Sequence, residues 1–440
     1  MASRELHLLL LGSTHATHAW RRPGADPTPA GALREAIERT RIAEAAKFDA
    51  VFFADILNYG PAPTWPYKAA ENFEPLTLTS ALSAVTDRIG LVVTGSTTFQ
   101  APYHLARQFL SLDHLSGGRA GWNLVTSFAA AAADNFGDQG VLPHEERYQR
   151  AEEALEVVRK LWDSWEEEAV IADRERGVFA DVARLHPADH RGAHFAVKGP
   201  LGQQRSAQGQ PVLFQAGSSG TGRAFAARHA DVIFTGQLSF QRAAAFYAEV
   251  AEQARAAGRE QGPLITPSLA FVVGATDAEA QAIDRRLQED FAFEYQAGWL
   301  SEVEVDVIGA DLDGPVPASA FPDSTETHRT ALDGYRALAA QSATVREFLL
   351  RTTAAFGYRV VGSPETVADE IQHWFEGRAS DGFVLYPAEA EGQLEAFAEH
   401  VVPILQERGI FRREYSGSTL RDHFGLPRPA NRYAQTGAVA

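Results

Sequence analysis

Residues 211–236, PVLFQAGSSGTGRAFAARHADVIFTG, decide how the chain is read. Val212, Leu213 and Phe214 are apolar and uncharged, and Val232, Ile233 and Phe234 repeat that character after an Ala-rich run at 223–229. Between them Gly217, Gly220 and Gly222 alternate with Ser218, Ser219 and Thr221. The pattern is strand, glycine-rich turn, helix, strand. Glycine lets the backbone turn tightly and approach a ligand closely. Bare N–H groups at a helix start attract an anion, and the hydroxyls add donors. Gly217, Ser218 and Ser219 are therefore expected to hold a phosphate; a plain turn before a surface helix is the alternative. Arg223 and Ala224 stand where a Walker A loop needs Lys and then Ser or Thr, which excludes a nucleotide-triphosphatase loop. Phe225 replaces the third glycine of a dinucleotide-binding GxGxxG.

Working outward, the runs 6–11, 50–54 (AVFFA), 89–94 (IGLVVT) and 120–125 (AGWNLV) also read as strands, with helices at 33–47, 74–85 and 102–115 between them. Apolar runs without polar alternation suit strands buried on both faces. Alternating strands and helices imply a parallel sheet. Together with 212–216, 232–235, 264–273 and 382–386 they make eight strands. The expected fold class is α/β, a (β/α)8 TIM barrel whose functional residues sit on the C-terminal rim. A doubly wound open sheet is the alternative. The chain is expected to be a single barrel domain over 1–440, with insertions at about 166–210 and 300–350 over the rim. Gly309, Gly314, Pro315 and Pro317 punctuate the second, so 302–346 is expected to be a lid or an oligomer interface.

The chain has 440 residues and a formal net charge of −17. That balance argues against a nucleic-acid surface, which needs a basic patch. Cysteine is absent, which excludes disulfides, thiolate metal sites and a cysteine nucleophile. No stretch is long and apolar enough for a bilayer or a secretory signal, so a cytoplasmic protein without membrane contact is expected. His186, His190 and His194 are regularly spaced, but Pro187 and Gly192 break any shared helix and no HExxH occurs. No metal is expected. No GxSxG elbow favours hydrolysis.

Asp55, Thr94, Ser96 and Asn123 all fall at or near strand ends. Each alone is a common turn or cap former, but a barrel carries all four to one rim. His144 and Tyr148 are spaced i, i+4 at a helix start and share a face. They suit an anion or a polar ring; a cap with a packed aromatic is the alternative. His15 and His18 follow the first strand, close to Trp20. Imidazole donates or accepts a proton near neutral pH, so His144 and His15 are the candidate catalytic histidines.

In combination these residues resemble the bacterial luciferase-like flavin monooxygenases, specifically the nitrilotriacetate, sulfone and long-chain alkane monooxygenase group. The matching stretches are FDAVFFAD (48–55), YHLARQFLSLDHLSGGRAGWNLVTS (103–127), HEERYQRAEEALEVVRKLWDSW (144–165), the phosphate loop, GSPETVADEIQHWF (362–375) and EYSGSTLRDHFGLPRPANRY (414–433). Only 302–346 matches poorly. The resemblance implies a barrel enzyme that uses reduced FMN (FMNH2), supplied by a separate NAD(P)H-dependent flavin reductase. It implies insertion of one oxygen atom of O2, through a flavin C4a-peroxide, into a small organic substrate such as a sulfone, an aminopolycarboxylate or another heteroatom compound. By position it places Asp55, Thr94, His144, Tyr148 and Ser219 on the flavin, Ser218 and Ser219 on its phosphate, and Asn123 near the isoalloxazine. The alkane enzyme of the group carries a cysteine near the first strand, and this chain has none. A homodimer or homotetramer is expected. A flavin-free barrel enzyme acting on a sugar phosphate and a non-catalytic flavin-binding protein stand as the competing functions.

Overall fold

Strand β1 (His7–Gly12) pairs in parallel with β2 (Ala50–Phe53) on one side and β8 (Gly382–Pro387) on the other. Between them run β3 (Gly90–Ser96), β4 (Ala120–Val125), β5 (Val212–Gln215), β6 (Val232–Thr235) and β7 (Leu264–Val273), each parallel to its neighbour. The β6–β7 and β8–β1 pairings close the ring, so the structure is an eight-stranded parallel barrel and the open-sheet alternative is excluded. All eight expected strands are present. The computed structural model describes residues 4–12, 19–21, 24–137, 140–217, 219–322, 329–353, 357–388 and 392–434. His15, His18 and Ser218 lie outside the described residues.

The two-residue period of a strand explains the lining. Leu9, Phe52, Val92, Phe214, Val232 and Val384 form one cluster, the barrel interior. Leu8, Leu10, Val51, Leu91, Val93 and Leu213 belong to the cluster shared with the surrounding helices. Those helices are α1 (Pro29–Ala45), α2 (Pro75–Ser83), α3 (Pro102–Leu115), α4 (His144–Trp162), α5 (Gly220–His229), α6 (Phe240–Ala256), α7 (Pro364–Glu376) and α8, an irregular helical run over 393–407. Proline opens α1, α2, α3 and α7, where its missing N–H costs nothing. A ninth strand, Tyr358–Gly362, pairs with the far half of β7 and was not expected from the sequence.

The first insertion is not over the rim, contrary to expectation. Helix α4 starts at the rim and ends with Trp162 at the opposite, N-terminal end of the barrel, where β5 must begin, so the linking chain 163–211 leaves and rejoins the barrel there. In between it rises along the flank of α4 as far as Glu153, which accepts from the amides of His194 and Phe195 at 2.9 and 2.8 Å. Gln208 Nε2 donates to the carbonyl of Ala120, the first residue of β4, at 2.8 Å. The second insertion does lie at the rim. Its helix Phe293–Leu300 packs on the turn Ala62–Thr64, in the loop between β2 and α2. It also has its own core, including Leu300, Val305, Leu332, Val345 and Phe348.

The tail closes the floor of the barrel. Leu420 and Phe424 join the interior cluster from below. Arg412, on the same tail, pairs with buried Asp49 at 2.6 Å. His423 is buried beside them, and neither ring nitrogen has a hydrogen-bond partner. Burial pulls its imidazole down to about 4, with Asp49 opposing and Arg412 assisting. The sign follows. An unfolded chain takes up a proton here below its ordinary pKa of about 6.5, and the folded chain refuses it until about 4. Stability at this site is therefore complete above pH 6.5 and falls by at most about 3 kcal/mol as the pH drops to 4. Urea titrations at stepped pH should show that loss in the parent and a shallower one in His423→Gln. An equal loss in both would place its source elsewhere.

Candidate active site

The barrel interior changes character towards its C-terminal end. Two residues above Val92 comes Thr94, and two above Gly121 comes Asn123, so both point inward. Gly121 leaves little room here: an added Cβ would sit 3.0 Å from both Phe214 and Val92, so either side chain would have to give way. Thr94 and Asn123 are register partners. Thr94 Oγ1 donates to the Phe53 carbonyl at 3.0 Å, and Asn123 Nδ2 donates to Thr94 Oγ1 at 2.8 Å. That chain fixes the amide so that Asn123 Oδ1 is left buried with no donor among the described residues. A buried polar atom without a partner is rare and costly, and this one is an acceptor waiting for an N–H at the barrel mouth.

On the other side of β4, Asn123 pairs with Phe214 and Leu124 with Gln215. The phosphate-type loop starts there. Gln215 Oε1 accepts from the Gly217 amide at 2.7 Å, which holds the first glycine in place. Ser219 caps α5 by accepting from Gly222 N at 3.1 Å. The cap leaves the other first-turn amides of α5 without a helical acceptor. Tyr148 rises against this loop. A Cβ on Gly217 would lie 2.8 Å from its Oη, and one on Gly222 2.6 Å from it. Gly217 and Gly222 themselves touch, since a Cβ on either meets the other's Cα at 3.0 Å. The glycines thus form a cradle that any side chain would fill. His144 Nε2 lies 3.2 Å from Ser219 Oγ, and its ring is 5.0 Å from that of Tyr148.

α4 and α5 are clamped at their other ends. Arg228 donates to Glu152 at 2.8 Å, His229 bonds the same carboxylate, and Arg159 donates to the His229 carbonyl at 3.1 Å. Burial works against the charge of Glu152, but the His229 and Arg228 hydrogen bonds outweigh it and hold the carboxyl down at about 2. This clamp keeps His144 and Tyr148 aimed at the loop.

The expected residues therefore fall in two groups on adjoining strands. Thr94 and Asn123 form one, and His144, Tyr148, Gly217 and Ser219 the other. Ser96 is at the same rim, its hydroxyl accepting from Ser127 at 2.8 Å. Asp55 is half-buried two residues beyond β2. His186 and His190 each meet a glutamate instead of one another, at 2.7 Å from Glu166 and 2.9 Å from Glu153. The sequence reading missed Gln215 and Arg147. Gln215 had one available signal, a lone amide ending an apolar run just before the glycines.

The class of structure is a closed (β/α)8 barrel whose C-terminal mouth carries a glycine cradle at a helix start and a buried amide acceptor. Residues 14–381 match the luciferase-like monooxygenase family, and the chain belongs to it. It is 42% identical over 438 residues, 98% of each chain, to the N-acetyl-S-(2-succino)cysteine monooxygenase of Bacillus subtilis (strain 168). It is 38% identical over 452 residues, 99% of each chain, to nitrilotriacetate monooxygenase component A of Aminobacter aminovorans. Among solved structures, a riboflavin lyase crystallised with modified FMN and its substrate riboflavin superposes with a TM-score of 0.83, at 33% identity, covering 96% of this chain and 95% of the other. The chain is thus a flavin-dependent monooxygenase by family. Among the described residues, no helix is long and apolar enough to cross a membrane.

Proposed function

We propose that the chain is the oxygenase of a two-component system, taking reduced FMN from a separate NAD(P)H-dependent flavin reductase and inserting one oxygen atom of O2 into a small organic substrate. The observation that carries this reading is the orphaned Asn123 Oδ1, which lies one strand from the glycine cradle. A flavin has both matching groups, a phosphate and ring N–H donors. The residues fit it. Tyr148, Ser219 and the first turn of α5 would hold the phosphate, and Asn123 would accept from a ring N–H. Bound reduced flavin supplies the activation of O2. His144 Nε2 is the group that moves a proton at the site. The second insertion, anchored on the β2–α2 loop, is read as the lid that keeps water out.

The substrate class proposed is a heteroatom compound: a sulfone, an aminopolycarboxylate or a thioether bearing carboxylates. A relative's designation as a component A fits a partner enzyme. The test is oxygen uptake with a generic flavin reductase and NAD(P)H, with nitrilotriacetate and a succinylated thiol among the substrates, read by mass for one added oxygen. Ser219→Ala should weaken FMN by roughly tenfold or more, the scale of one charge-assisted hydrogen bond, and leave riboflavin unchanged. Equal losses for both ligands would remove the phosphate from this loop. Flavin-independent turnover of a sugar phosphate would replace the whole reading.

A further inference from the structure

Five arginines are buried among the described residues, and four are partnered. Arg119 donates to the carbonyls of Ser116 and Ile89 at 2.7 and 2.6 Å. Arg205 pairs with Asp163 at 3.1 Å, Arg412 with Asp49 at 2.6 Å and Arg421 with Asp231 at 3.1 Å. The fifth is Arg147. It is 8% exposed, and its Nε is buried with no hydrogen-bond partner among the described residues. Its one neighbour of note is the Phe128 ring, 5.8 Å from the guanidinium carbon. That is at the outer limit of about 6 Å for a cation–π contact, and Phe128 is half exposed. Burying a guanidinium without an anion is costly, and buried charges in native proteins are paired or hold a ligand. Burial accordingly keeps Arg147 below its ordinary pKa, and only the Tyr148 phenol opposes this.

The position of Arg147 says what it is for. It follows His144 by one helical turn and directly precedes Tyr148, so it belongs to the face of α4 that meets the barrel mouth. It overlies Phe128, in the loop that leaves β4 beyond Asn123. We propose that Arg147 is the anchor of an oxyanion site at the barrel mouth, gripping a phosphate or carboxylate through its planar fork. A guanidinium presents two parallel N–H donors matched to such a group, and the pair is charge-assisted. The oxyanion has two sources, the phosphate of the flavin or an acidic group of the substrate. Only the first rests on the flavin reading above.

The test compares the parent with Arg147→Met and Arg147→Lys, all without turnover. One arm titrates reduced FMN and reduced riboflavin anaerobically. The other follows thermal stabilisation by inorganic phosphate and by nitrilotriacetate. A loss of FMN affinity of about 10- to 100-fold in Arg147→Met, with riboflavin unchanged, assigns the site to the flavin phosphate. Unchanged flavins with a lost response to nitrilotriacetate assign it to a substrate carboxylate. Arg147→Lys should fall between, because it keeps the charge and loses the fork. Ligand-free Arg147→Met should be at least as stable as the parent, since a lone buried charge has been removed; a purely structural arginine would give the opposite. The proposal is overturned if Arg147→Met binds all four probes as the parent does, or if both variants lose stability and weaken FMN and riboflavin equally. A parent that binds neither flavin, yet responds to phosphate through Arg147, would end the flavin reading and leave the oxyanion site standing.

Discussion

His144→Ala is expected to lower the product formed per reduced FMN consumed by roughly 10²- to 10⁴-fold, the range for a lost acid–base group. The side chain is exposed to the mouth, at the first residue of α4, and its Nε2 reaches Ser219 Oγ at 3.2 Å. On the proposed function it therefore stands between the phosphate held at Ser219 and the open mouth of the barrel. A cap alone would need only the hydrogen bond to Ser219, and an amide can make that bond. His144→Asn should consequently keep FMN affinity near the parent value and still lose product, with hydrogen peroxide released in its place. Product and peroxide are quantified together, so coupling is read directly. If both variants couple as well as the parent and bind FMN normally, His144 only orders the loop, and His15 becomes the next residue to replace.

Phe424→Ala is expected to cost about 3–5 kcal/mol, as for other large aromatics removed from a packed core. Its ring lies 5.0 Å from His7 and 5.8 Å from Phe214, so it bridges the start of β1 and the interior of β5. The short helix Leu420–His423 ends at this ring, and the void left by removing it would open beneath Phe214. Val182→Ala is the control, since Val182 is 80% exposed and contributes little to burial. Equilibrium urea unfolding of the two variants compares them. A loss under about 0.5 kcal/mol for Phe424→Ala, the scale of an ordinary surface change, would mean that the floor is closed without the tail.

Much of the barrel was legible because its strands are short, apolar and bounded by glycine. Thr94 and Asn123 were legible for the same reason: a polar side chain in or at the end of an apolar strand has to face something inside the barrel. Arg147 was not. In HEERYQR it reads as one more charge on a solvated helix, and its burial depends on Phe128, which comes from a loop. The floor was not legible either. The segment GSTLRDHF carries only two large apolar side chains, and their value lies in contacts with distant elements, such as Leu420 against Gly90. The path of the first insertion was not legible, because it follows from α4 ending at Trp162, at the N-terminal end of the barrel. Ser218, His15 and His18 were expected at the site and lie outside the described residues.

The closed floor sets an order of events during synthesis. The chain emerges from the ribosome from its N-terminus. β1 therefore waits for β8, since His7 pairs with Gly382. Even then the cylinder is open underneath until Leu420 and Phe424 appear. Arg412, which neutralises Asp49, arrives only shortly before them, and until Leu420 and Phe424 are in place the greasy undersides of Phe52 and Phe214 face water. The nascent protein has every strand of its barrel before it has a base, so the contacts of the base form after those of the strands.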